Sequence, residues 1–151
     1  MVVEYFESGG LARAKVWRDY GNFTDREWVG SYYDNRDLQD PVVFTKNSED
    51  IDFDWGDDSP DDRLSRNQFS VRWQRNVHFD PGDYRFFAEI EDEDEVRVTI
   101  DGWEIMNKRR DNAGRVEGHF DNLGEGNHTV VVEFREHGEN AAIKFWWEKE
   151  D

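Results

Sequence analysis

The sequence contains no cysteine and has only three prolines and two methionines in 151 residues. The lack of cysteine excludes disulfides, thiolate metal ligands and a thiol nucleophile. No segment approaches the roughly 20 consecutive apolar residues that a membrane-spanning helix needs. The N-terminus lacks a basic segment followed by an apolar core, so it does not resemble a secretion signal. We therefore expect no membrane span, and a mature domain or a fragment of a longer protein.

Basic residues are scarce, since 19 Lys and Arg stand against 36 Asp and Glu and the net charge is −17. Proteins that bind nucleic acid use Lys and Arg to neutralise phosphates, so this balance argues against a nucleic-acid partner. An acidic surface suits cation binding, a neutral polar ligand such as a sugar, or solvation alone. The charge leaves these three alternatives open.

Catalytic motifs are also missing. The four histidines, at positions 78, 119, 128 and 137, show no zinc-binding spacing, and there is no Gly-x-Ser-x-Gly segment. Paired carboxylates for glycoside hydrolysis need a particular separation and pKa, which a sequence this rich in acids does not reveal. The sequence predicts a binding module and no enzyme.

Aromatic residues are plentiful, at 15% of the chain, and each buried ring removes about 150–250 Å² from water. Apolar and polar residues alternate in short runs that are separated by turns such as Asp80-Pro81-Gly82 and Asp101-Gly102. This pattern predicts an all-β fold, an antiparallel two-sheet β-sandwich that is jelly-roll-like. The predicted strands are 28–33, 42–46, 69–78, 84–91, 95–101, 103–106, 115–120, 128–135 and 141–148.

The two ends of the chain resemble each other. Residues 2–17 align without a gap on residues 131–146, with eight identical positions of sixteen. We expect an extra β-hairpin at 1–19 that duplicates the C-terminal hairpin, a linker at 20–27 and the sandwich at 28–149. The extra hairpin is either the tail of a preceding tandem repeat or an element that pairs with an exposed sheet edge, which would allow hairpin-mediated self-association.

An ordered series of motifs runs from Trp28 to Trp147. It comprises Gly30-Ser31-Tyr32-Tyr33-Asp34-Asn35, Ile51-Asp52-Phe53-Asp54-Trp55-Gly56, Phe69-Ser70-Val71-Arg72-Trp73, Gly82-Asp83-Tyr84-Arg85-Phe86, Val96-Arg97-Val98 and Ile100-Asp101-Gly102. In this order the series resembles the PA-fourteen domain, a β-sandwich named after the N-terminal piece of anthrax protective antigen. The resemblance implies a jelly-roll-like sandwich of the kind found in toxins, glycosidases and adhesins, and an extracellular or cell-surface location.

The resemblance also implies a metal site. In sugar-binding members, two consecutive Asp residues joined by a cis peptide hold calcium in a loop before the Arg-containing strand. Glu93 and Asp94 occupy those positions here, ahead of Val96-Arg97-Val98, so calcium is expected at Glu93 and Asp94. The turn 137–140 is expected to complete the site, with Asn140 and Trp103 lining the ligand.

Two functional hypotheses remain. The first is a calcium-dependent carbohydrate-binding module that recognises a glycan or cell-surface polysaccharide. The second is a non-catalytic structural or protein-interaction sandwich without a metal. A second acidic segment, residues 52–62, lacks the ligand order of an EF-hand, and we expect it to form a rigid loop held by side-chain-to-backbone hydrogen bonds.

Overall fold

The computed structural model describes residues 25–150 apart from 67, 92, 110–113 and 139, and the described residues form ten strands and no helix. The strands are β1 (Trp28–Tyr33), β2 (Phe44–Ser48), β3 (Ile51–Gly56), β4 (Ser70–Phe79), β5 (Gly82–Ile90), β6 (Glu95–Ile100), β7 (Trp103–Lys108), β8 (Gly114–Leu123), β9 (Gly126–Arg135) and β10 (Ala141–Lys149). Within these residues no helix is long and apolar enough to span a membrane.

The strands form two antiparallel sheets. The six-stranded sheet has the order β2-β1-β4-β9-β6-β7, and the four-stranded sheet has the order β3-β10-β5-β8. Every pairing is antiparallel. The predicted all-β, antiparallel two-sheet sandwich is therefore confirmed.

Aromatic rings from both sheets fill the space between them. Trp73 of β4 is fully buried, and its ring stacks on Phe53 of β3 with centroids 5.7 Å apart. Tyr32 meets the same indole edge-on at 6.3 Å. Such pairs add about 0.5–1.5 kcal/mol each beyond the area they bury. Large rings thus pack together with aliphatic side chains such as Val71, Val98 and Ile143 to form the core.

The prediction of a loop for residues 52–62 was wrong in its first half. Ile51–Gly56 is strand β3, which pairs with β10 and turns Ile51, Phe53 and Trp55 toward the core while Asp52 and Asp54 face solvent. The acids at alternate positions belong to the solvent face of a strand. The second half does form a loop held by side-chain-to-backbone bonds, as predicted, because the carboxylate of Asp58 accepts the N–H of Ser59 at 2.8 Å.

The first segment that the structure describes is docked on β4. The N–H of Asp25 donates to the carbonyl of Asn76 at 2.9 Å, and the N–H of Asn76 donates to the carboxylate of Asp25 at 2.9 Å. The predicted extra hairpin at 1–19 and the first part of the predicted linker at 20–27 lie outside the described residues. The duplication and its role in self-association stay predictions.

Candidate functional site

Two connections meet at one end of the sandwich, and we call them the loop pair. One joins β5 to β6, and the other joins β9 to β10. Because β6 and β9 are antiparallel neighbours with Glu95 opposite Arg135, the segment before β6 and the segment after β9 emerge at the same edge. The sheet topology therefore brings together the two segments in which the sequence predicted a binding site.

Asp94 ties the two connections together. Its side chain is fully buried, and Oδ1 accepts the backbone N–H of His137 at 3.1 Å. The ammonium group of Lys108, which is itself buried, donates to the carbonyl of Asp94 at 3.0 Å. Burial raises the pKa of the Asp94 carboxyl to about 7, because the charged form loses its hydration.

Glu136 places a second buried carboxyl in the loop pair. The residue has no exposed surface, and its backbone N–H donates to the carbonyl of Phe69 at 3.0 Å. Burial and then the nearby charge of Asp94 raise its pKa to about 8. Both carboxyl oxygens of Glu136 and Oδ2 of Asp94 have no hydrogen-bond partner within the described part of the chain. Three buried carboxyl oxygens thus form no hydrogen bond of ordinary geometry, although the backbone N–H of Gly138 partly stabilises both carboxylates and the charge of Arg36 partly stabilises that of Glu136.

The other residues predicted for the metal and the ligand divide between the two ends of the molecule. Glu93 and Asn140 are exposed members of the loop pair, and Gly138 passes so close to Glu93 that an added Cβ would lie 3.1 Å from the Glu93 Cβ. Trp103 begins β7, beyond the full length of β6, which at about 3.3 Å per residue is about 20 Å away. The indole of Trp103 is 71% exposed. The structure therefore groups Glu93, Asp94 and Asn140 and separates Trp103 from them.

The loop pair contains carboxylate oxygens of the kind that calcium binds. Calcium takes six to eight oxygen ligands, and buried carboxylates without partners are ordinarily protonated or bound to a cation. Asp94 and Glu136 supply such oxygens, and Glu93 adds an exposed carboxylate beside Gly138. The backbone departs from the pattern that the resemblance implied, because the only cis peptide bond among the described residues joins Asp40 and Pro41. The chemistry of these carboxylates suits calcium, with a trans bond between Glu93 and Asp94, but their ligand atoms do not all lie within 4.8 Å of one another, so a bound ion would have to draw them together.

Glu136 was missed by the analysis of the sequence. A glutamate directly after a strand is ordinarily solvated, and nothing local to it marks burial. The alignment of the two chain ends contains the one available signal, since Glu136 aligns with an identical Glu7 in the duplicated segment.

A third acidic group lies elsewhere. Asp83, Asp121 and Glu150 form the only set of three His or acidic side chains, among the described residues, whose ligand atoms all lie within 4.8 Å of one another. They are at the opposite end of the four-stranded sheet, since Asp83 is at the start of β5. Arg85 already bonds to Glu150 at 2.6 Å, and Asp83 accepts the N–H of Asn122 at 2.7 Å. Arg85 and the backbone of Asn122 thus already satisfy part of the hydrogen-bonding capacity of these three carboxylates.

A sequence profile of the PA14 domain matches residues 28–150. This is the PA-fourteen domain that the order of motifs resembled. The chain belongs to the PA14 domain family.

Among relatives of this PA14 domain is the anti-sigma-I factor RsgI3 of Acetivibrio thermocellus, which is 29% identical over 119 residues, or 78% of this chain and 18% of the relative. A solved anti-sigma factor domain-containing protein from Clostridium clariflavum is 25% identical with a TM-score of 0.72, over 82% of this chain and 42% of that one. The present chain thus spans less than half the length of either relative.

The structure of a PA14 sugar-binding domain from an RTX adhesin also superposes on the chain. Its TM-score is 0.58 at 14% identity, over 82% of this chain and 90% of that one. At this identity the likeness establishes a common fold.

Proposed function

We propose that this PA14 domain is a non-catalytic, extracellular carbohydrate-binding module that binds a glycan or cell-surface polysaccharide at the loop pair, with calcium as its cofactor. The observation that carries the proposal is the pair of fully buried carboxyls, Asp94 and Glu136, three of whose four oxygens form no hydrogen bond of ordinary geometry within the described residues. The sugar-binding PA14 domain of an RTX adhesin, which has the same fold, supports the choice of ligand.

The energetics of the loop pair favour a cation. An unpaired buried carboxylate loses hydration worth several kcal/mol, which its pKa shift or a bound cation must offset. Asp94, Glu136 and Glu93 would hold the ion. When bound, calcium would neutralise these carboxylates and present open coordination positions to sugar hydroxyls. The backbone hydrogen bond from His137 to Asp94 already fixes one connection against the other.

Asn140 is the residue of the loop pair best suited to contact a sugar directly. Its amide offers both donors and an acceptor, and the side chain is exposed. Trp103 is too far away to touch the same sugar residue, so any stacking on its exposed indole would involve a distant part of a long polysaccharide.

Thermal unfolding in excess calcium and then in chelator tests the cofactor. A ligand present at 100 times its dissociation constant and bound only to the folded state stabilises it by about 2.7 kcal/mol, which should raise the midpoint by several degrees. Asp94→Asn and Glu136→Gln should each abolish the rise, whereas Asp83→Asn, in the opposite acidic group, should retain it. An unchanged midpoint in calcium would contradict the metal site.

A glycan array in calcium tests the ligand. We expect a signal that chelator removes and that Asn140→Ala weakens, while Asn47→Ala, on the exposed edge strand β2, leaves it intact. Binding that survives Asn140→Ala and the two carboxyl variants would place the sugar site elsewhere.

The similarity to anti-sigma factors favours a second candidate, a protein-interaction module without a metal in a longer regulatory chain. This function predicts neither calcium-dependent stabilisation nor glycan binding. The two measurements above therefore distinguish it from carbohydrate recognition.

A further inference from the structure

A recess of about 210 Å³ lies on the outer face of the six-stranded sheet, beside the loop pair. Three arginines, two glutamates and an asparagine line it: Arg97, Arg109, Arg135, Glu95, Glu133 and Asn107. Side chains on a strand alternate between faces, and the neighbours Val96, Val98, Phe134 and Lys108 are buried. The polar lining residues therefore share the solvent face of β6, β7 and β9, with Arg109 directly after β7, and the buried Val96 also borders the recess.

The two glutamates of the recess already contact basic side chains of the protein. Glu133 accepts from Arg72 at 2.8 Å and from Arg97 at 3.3 Å. Glu95 lies 2.8 Å from Nε2 of His137. Arg97 is likewise engaged, because it also bonds to Glu104 at 2.7 Å.

Arg109 and Arg135 are different. Neither has an ion pair or a side-chain hydrogen bond with another described residue. Three arginines against two glutamates give the lining residues a formal charge of +1, although Glu104 beside the recess bonds to Arg97 and also attracts Arg109, and the whole chain carries −17. Two guanidinium groups thus remain available at a local positive site on an acidic protein.

We propose that Arg109 and Arg135, together with Asn107, bind the carboxylate of an acidic polysaccharide that carries isolated uronic acid residues. A guanidinium group matches a carboxylate with two parallel hydrogen bonds. The exposed amide of Asn107 donates one N–H to Glu104 at 3.3 Å and retains its second N–H and its carbonyl for a neighbouring hydroxyl. The recess is smaller than the roughly 300–1,000 Å³ pockets that enclose drug-sized ligands, so it suits one charged sugar residue. The inference rests on the proposed carbohydrate-binding function and names the class of polysaccharide.

The net charge of the chain narrows this class further. A polymer with a negative charge on every residue is repelled by a domain of −17. A neutral backbone with scattered carboxylates meets less repulsion while still placing one carboxylate at Arg109 and Arg135.

The test compares an oligosaccharide that contains one glucuronic acid residue with its carboxyl-reduced form, in which the same residue is neutral glucose. Isothermal titration calorimetry in calcium should show about tenfold tighter binding of the acidic form. Arg135→Gln and Arg109→Gln should each lose about tenfold for the acidic form and leave binding of the neutral form unchanged. Arg66→Gln, an exposed arginine on the loop after β3, is the matched control and should change neither affinity.

Each result has a distinct meaning. Equal affinity for both oligosaccharides, reduced by Asn140→Ala, would overturn the arginine site and leave the proposed function standing. Binding of neither oligosaccharide nor any glycan on the array would overturn both. Displacement by equimolar inorganic sulfate would show an adventitious ion only and overturn the assignment to a uronic acid. Thermal unfolding of Arg135→Gln checks that β9 is intact, and Arg109→Gln, beyond the end of β7, repeats the test outside the strands.

Discussion

Among single residues, His128 holds two turns at the end of the sandwich that lies opposite the loop pair. Its Nδ1 lies 2.5 Å from the carboxylate of Asp101, and its Nε2 lies 2.7 Å from the carbonyl of Gly124. Both partners are acceptors, so only the doubly protonated imidazolium donates to both. Burial by itself would lower the pKa of His128, but the hydrogen bonds to Asp101 and Gly124 outweigh it and the pKa is raised.

This geometry predicts how stability depends on pH. Because the folded pKa of His128 lies above its unfolded value, its contribution is complete below about pH 6.5 and is lost as the pH rises through the folded pKa. We expect His128→Gln to lower the free energy of unfolding at pH 5.5 more than at pH 8.5. Urea denaturation at both pH values measures the difference, with His119→Gln, a histidine exposed on β8, as the matched variant. If His128→Gln lowered the free energy of unfolding equally at both pH values, a charged imidazolium would not be what holds the two turns together.

Some residues of the candidate site could be predicted from the sequence and others could not. Asp94 could be predicted from its place before an Arg-containing strand, whereas the burial of Glu136 depends on how β9 and β4 pair, which no local pattern encodes. Trp103 was predicted beside Asn140, but the two stand at opposite ends because a strand separates them. Residue types suggested the chemistry, and only the strand register decides which residues meet.

Among the elements, β7 and β8 make a close contact across the open side of the sandwich. Ile105 of β7 is the additional residue of a β-bulge, since Val98 pairs with Met106 and Thr99 with Glu104. The carbonyl oxygen of Ile105 approaches Gly118 of β8 so closely that a Cβ there would overlap it. Gly118 thus allows an edge of one sheet to approach the other.

Substitution at this contact should be costly. Overpacking destabilises proteins by about 1–3 kcal/mol, and we expect Gly118→Ala to fall at the upper end because a backbone carbonyl cannot swing aside like a side chain. Gly124→Ala is the matched control, since a Cβ at Gly124 meets nothing within 4 Å. Urea denaturation of both variants provides the comparison. Equal stability would mean that β7 shifts freely relative to β8.

The alternation of apolar and polar residues predicted some strands better than others. The runs around Val71, Phe86 and Val98 were predictable because apolar and polar residues largely alternate along the sequence, although the burial in the structure is less regular than that alternation. β3 was missed because its outward residues are acids next to an acidic loop, which obscured the inward row of Ile51, Phe53 and Trp55. Its assignment needed the pairing with β10.

For the whole molecule, the charge of −17 should make stability depend on ionic strength. Like charges destabilise a compact state, and the screening length falls from about 30 Å at 0.01 M salt to about 8 Å at 0.15 M. We expect the unfolding midpoint, measured in chelator, to rise over this range of sodium chloride. The variant Asp57→Asn/Asp62→Asn, which neutralises two exposed loop carboxylates, should respond less. A midpoint that falls with salt would show that attractive ion pairs dominate instead.

The hydrogen bonds of Asp25 to Asn76 and of Glu150 to Asp83 determine how the domain can be attached to anything else. Asn76 lies in the far half of β4 and Asp83 at the start of β5, so both ends of the described chain leave the sandwich on the side opposite the loop pair. A support joined beside Glu150 would leave the loop pair facing outward. The domain can thus be immobilised at its C-terminal end for binding assays without masking its proposed ligand site.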